Sequence, residues 1–117
     1  MSLLAALACL IVLIFALLGV AKIMALGPTP GLAAHAGFSI TAYRVIGALE
    51  LAGAVGVALG PVLPLLGGPA DIGLLVLLAG AVTTHVRKGD NLPRLVPAVV
   101  CAALVTWYLS LLAGGGS

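Results

Sequence analysis

Tyr43-Arg44-Val45-Ile46-Gly47-Ala48-Leu49-Glu50-Leu51-Ala52-Gly53 is the stretch whose reading decides the fold. It opens a long apolar segment and carries one carboxylate inside it. An ionisable side chain at membrane depth is costly, so it takes a partner or a task. Gly53 and Gly60 are seven residues apart and share one helix face, and Glu50, three before Gly53, lies on that face too. Gly47 adds a further small residue. Small residues let neighbouring helix backbones approach closely in lipid. The Glu50 face is therefore expected to point into a bundle, with Gly47, Gly53 and Gly60 as packing positions.

The rest of the chain agrees. Of 117 residues, 63% are hydrophobic and 7% charged. A soluble domain carries about a quarter of its residues charged, so the solvent implied here is lipid. Apolar stretches at about 3–26, 40–59, 69–86 and 92–113 are each near the ~20 residues that span a bilayer. The expected fold is all-α: one integral membrane domain over 1–117, a four-helix bundle running up-down-up-down. The first stretch lacks a basic leader and is longer than a signal core, so it reads as a retained span.

Several breaks are predicted. Gly27-Pro28-Thr29-Pro30-Gly31 ends the first span. Residues 28–40 form a loop with a short interfacial helix around 32–38, where His35 reads as a solvated histidine. Pro69 suits a first helical turn, and Asp71 then suits the positive end of the helix dipole. Gly89 suits a C-terminal stop. Pro97 should kink the last span or mark a late start. Trp107 and Tyr108 suit the far interface.

All five basic residues, Lys22, Arg44, Arg87, Lys88 and Arg94, lie at the ends facing loops 27–40 and 87–92. The positive-inside rule places both loops in the cytoplasm and both termini outside, in the inner (plasma) membrane. These residues form no basic stripe with interleaved aromatics, so nucleic acid is not an expected partner. Cys9 and Cys101 form no CxxC pair and read as buried small hydrophobes. No metal cage, phosphate loop, nucleophile triad or haem-binding histidine pair is evident. Catalytic residues are therefore not assigned.

Glu50 needs a cation from elsewhere. Arg44 is six residues back, about 120° around the helix, and faces away. Lys22 has the simplest alternative of snorkelling, with its amine at the interface. By helix rise, Glu50 lies about 9 Å deep and Lys22 about 6 Å, within a lysine's reach. His85, at about 3 Å, is the second candidate, and Thr83 and Thr84 are possible hydroxyl donors. The polar cluster expected at this end is Lys22, Arg44, Glu50 and His85, with Arg94 nearby. It is either a latch fixing helix register or the wall of a ligand site.

At these residues the chain resembles the DoxX-like family of small bacterial membrane proteins. The marks are Gly19-Val20-Ala21-Lys22, then Gly37-Phe38-Ser39, the Arg44-x-x-Gly47-x-x-Glu50 block, and Ala81 to His85 before a basic turn. The resemblance implies a four-helix membrane domain, with Lys22, Arg44, Gly47, Glu50 and His85 at motif positions. Relatives of this kind are associated with thiosulfate:quinone oxidoreductases, with membrane redox or thiol stress complexes, and with membrane-protein assembly. The chain itself supplies no soluble redox domain. The leading expectation is a non-catalytic membrane protein or subunit whose polar cluster binds a quinone-like or lipid head group, or a partner protein. One alternative is the membrane subunit of a quinone-linked oxidoreductase, with a membrane or peripheral redox partner and a quinone as cofactor. The other is an oligomeric small-molecule transporter or channel, made by homo-oligomerisation through the glycines of the second span.

Overall fold

The computed structural model describes residues 2–114. Five helices follow in order: α1 Leu3–Ile23, α2 Thr29–Ala36, α3 Ile40–Leu59, α4 Pro64–Arg87 and α5 Leu92–Ala113. Four of them, α1, α3, α4 and α5, are long and apolar enough to cross a membrane. The protein is an all-α integral membrane bundle, 41 Å along its longest axis, against a hydrocarbon core of about 30 Å.

Local chemistry sets the helix starts. Ser2 Oγ accepts from the Ala5 amide at 3.0 Å, and Ser39 Oγ accepts from the Ala42 amide at 3.0 Å. Each satisfies an amide that the first turn leaves unpaired. Gly37, at φ 83°, ends α2 in the left-handed conformation that suits glycine.

Three boundaries differ from expectation. α1 stops at Ile23 rather than 26, because the chain turns at once and Ala25 takes φ 51°. α2 starts at Thr29, since Pro30 is tolerated in a first turn that needs no donor there. α4 starts at Pro64 rather than Pro69. Pro64 takes the initiating place, and Pro69 is carried inside the helix. Asp71 therefore lies two turns into α4, away from the positive end of its dipole. α5 begins at Leu92 and runs through Pro97, so the late start does not occur.

Each long helix packs on its neighbours in a ring. α1 lies most extensively against α3, α3 against α4, and α4 against α5; α1 and α5 touch least. The core face of α1 is Leu4, Leu7, Ala8, Ile11 and Phe15, a three-and-four spacing that forms one helix stripe. Leu13, Leu17 and Val55 are exposed on the outside of the bundle, as suits helices solvated by lipid.

Glycines fix the closest approaches. A Cβ on Gly47 would stand 2.7 Å from the Gly19 carbonyl oxygen, and one on Gly53 would stand 2.5 Å from Leu74. A Cβ on Gly60 would collide with the Tyr108 hydroxyl. That hydroxyl is buried and donates to the Val57 carbonyl at 2.8 Å. Tyr108 is thus a core residue and not an interfacial one, whereas its neighbour Trp107 is half exposed.

Candidate functional site

α1 and α3 cross at Gly19 and Gly47, and this contact positions the first polar pair. The Lys22 stem lies against Gly47. Its Nζ reaches Glu50 Oε1 at 2.5 Å. Side chains lean toward the N-terminus of their helix. For a lysine in the last turn of α1, that direction is inward. Lys22 therefore does not snorkel to the interface; it turns its charge toward Glu50, one turn deeper on α3. The Glu50 side chain is 4% exposed and that of Lys22 is 19%. The Lys22 ammonium also lies 5.5 Å from the centroid of the Tyr43 ring, within cation–π range.

A second cluster closes the same end of the bundle. Asp90 stands in the α4–α5 turn between two histidines. His35 Nε2 of α2 is 2.7 Å from Asp90 Oδ1, and His85 Nδ1 of α4 is 2.6 Å from Oδ2. The His85 hydrogen bond, and then that of His35, hold the Asp90 carboxyl below its usual range. Because the carboxylate separates the imidazoles, the donor atoms do not converge, and no metal-holding group occurs among the described residues.

Two expectations are overturned here. His85 meets Asp90 through Nδ1 and makes no hydrogen bond to Glu50, which pairs with Lys22. His35 is not simply solvated. The Thr83 and Thr84 hydroxyls donate to Ala79 and Gly80 of their own helix, each at 2.8 Å, so neither bonds Glu50. Arg44 is exposed and makes no ion pair among the described residues. Asp90 is the residue that sequence reasoning missed. The available signal was the turn Gly89-Asp90, which can bring a carboxylate back to a histidine five residues earlier.

Between the two clusters lies a cavity of about 600 Å³. Small-molecule sites occupy roughly 300–1,000 Å³ and are mostly apolar with a few placed polar groups. This cavity has that character. Lys22 and Glu50 are in its wall, as are His35, His85, Asp90 and the exposed Arg94. Apolar wall is supplied by residues such as Phe15, Leu18 and Leu77. Cys101 is buried beside it, and both cysteines are free.

One further acid lies outside the cavity. Asp71 is fully buried, and both of its carboxyl oxygens lack a hydrogen-bond partner among the described residues.

The arrangement can hold a head group by hydrogen bonds while leaving an apolar body among aliphatic side chains. No curated protein and no solved structure matches the chain. The sequence profile of the DoxX-like family matches residues 6–107, which takes in α3 and α4, most of α1 and α5, and both polar clusters, and the chain belongs to that family.

Proposed function

We propose that this membrane protein binds the polar end of a lipid-soluble molecule, a quinone-like or lipid head group, in the cavity between its two polar clusters. The observation that carries this reading is the cavity itself, about 600 Å³ with a buried ion pair in one wall and a His–Asp–His cluster in another. A pair serving only as a latch needs no space beside it. A ring the size of a quinone head fits such a volume; Lys22 would donate to a head-group oxygen, and Glu50 would accept from a head-group hydroxyl, with His85 in the same wall. The chain acts as a binding protein or subunit without catalysis of its own. It lies in the inner membrane, with the cavity end facing the cytoplasm and both termini outside, since all five basic residues cluster at the cavity end.

The test is native mass spectrometry of the protein released from detergent. The unaltered chain should retain a small lipid-soluble adduct. Ala81→Trp, which fills the cavity from α4, should lose it. The same adducts on both proteins would overturn the reading.

A further inference from the structure

The cavity is walled by the four spans and, at its loop end, by α2, which contributes Thr29, Leu32, His35 and Ala36. With eight residues, α2 is about 12 Å long and cannot cross the bilayer. Thr29 and Ala33 are its buried residues, and among the spans it packs chiefly on α3. What ties it across the cavity comes from the α4–α5 turn. His35 Nε2 meets Asp90 Oδ1 at 2.7 Å. The Lys88 ammonium stands at the C-terminal end of α2, 3.4 Å from where a Cβ on Gly37 would lie. That is the end at which a helix dipole favours a cation. Left-handed backbone flanks the helix on both sides, at Ala25 (φ 51°) and Gly27 (φ 55°) before it and at Gly37 (φ 83°) after it. Residues beside a short element are where a hinge takes up its change of φ and ψ.

We propose that α2 is a hinged lid on the loop-side mouth of the cavity, with the α4–α5 turn as its catch and the His35–Asp90 contact as the bond that breaks when it lifts. The proposal rests on the cavity described above and on no particular occupant. The other walls are membrane spans with lipid outside them, so a water-borne molecule reaches the interior past α2. An element with two buried residues belongs to the low-stability end of a fold, from which lids are drawn. Once the catch is broken, α2 keeps its packing on α3 and swings on the two left-handed turns.

Cys101 reports on the opening. It is buried in the cavity wall, two turns beyond Arg94 on α5 and so about 10 Å further in by helix rise. Cys9→Ala removes the exposed thiol and gives the parent for the test. The parent is treated in detergent with the anionic, water-soluble reagent sulfonatoethyl methanethiosulfonate, and the modified fraction is followed by intact mass. His35→Ala should label about tenfold faster than the parent, the scale of one lost hydrogen bond to a charged group. His35→Gln, whose amide can donate to Asp90, should stay close to the parent rate. Equal rates in the parent and His35→Ala, whether fast, slow or nil, would overturn the lid and leave cavity binding, judged by retained adducts, untouched. A faster rate accompanied by faster amide exchange throughout α5 would overturn it as well, since the whole bundle would then have loosened. A glutamine variant as fast as the alanine one would overturn the His35–Asp90 bond as the catch.

Discussion

Lys22 points its charge into the bilayer to meet Glu50, against the usual tendency of a terminal lysine to reach for water. The pair is largely desolvated, so its two halves are not independent. Removing one partner strands the other, which costs on the order of 3 kcal/mol. Glu50→Leu alone should therefore lower the thermal midpoint in detergent sharply. Adding Lys22→Met to it should recover most of the loss. A double variant no more stable than the single one would mean that the charges do not interact.

The Asp90 cluster carries its own pH signature. His85 and His35 hold this carboxyl below its ordinary value, so it binds protons more weakly in the folded chain than in the unfolded one. Its contribution is present above the unfolded carboxylate range, near 3.9, and is lost as pH falls through the lowered value. Thermal midpoints of the unaltered chain and Asp90→Asn should differ most near neutrality and converge in strong acid. A gap that does not change with pH would contradict this.

α2 is a short helix, and its His35 contact ties it to the α4–α5 turn. His35→Ala should speed amide exchange severalfold across residues 29–36 while leaving α1 and α5 unchanged. Uniform protection in both proteins would show that Thr29 and Ala33, both buried, hold α2 unaided.

Asp71 is kept at a cost. An unsatisfied buried polar group destabilises by about 1–3 kcal/mol. Asp71→Ala should raise the thermal midpoint accordingly, although alanine removes volume. A fall instead would point to a partner that the described residues do not supply.

Two glycines make a matched pair for helix packing. Gly60→Ala would push a methyl group into the Tyr108 hydroxyl, breaking its bond to Val57, and should destabilise by about 1–3 kcal/mol. A Cβ on Gly73 meets nothing within 4 Å, so Gly73→Ala should be neutral or slightly stabilising through helix propensity. Equal effects at the two positions would refute the packing assignment.

The four spans were legible in the sequence because lipid leaves a chain few choices: apolar runs of membrane length must be helices. The Lys22–Glu50 contact was legible for a related reason, since a buried carboxylate demands a cation and depth left few candidates. The ends of α1 and α4 were not. Pro64 and Pro69 are both acceptable near a helix start, and only packing decides which one initiates. Asp71 was misread along with that boundary. Asp90 escaped notice because a carboxylate after a turn glycine looks like ordinary solvated surface. Its second partner, His35, lies 55 residues away in sequence, beyond the reach of any local pattern.

That separation has a consequence for assembly. The His35–Asp90 contact joins a helix that follows the first span to a turn that follows the third. A chain with only one or two spans inserted cannot form it. Helices that enter the bilayer separately and associate afterwards are thus given a late check on the loop side. The polar contact there closes only when the two intervening spans have taken their places, so it records insertion of the first three.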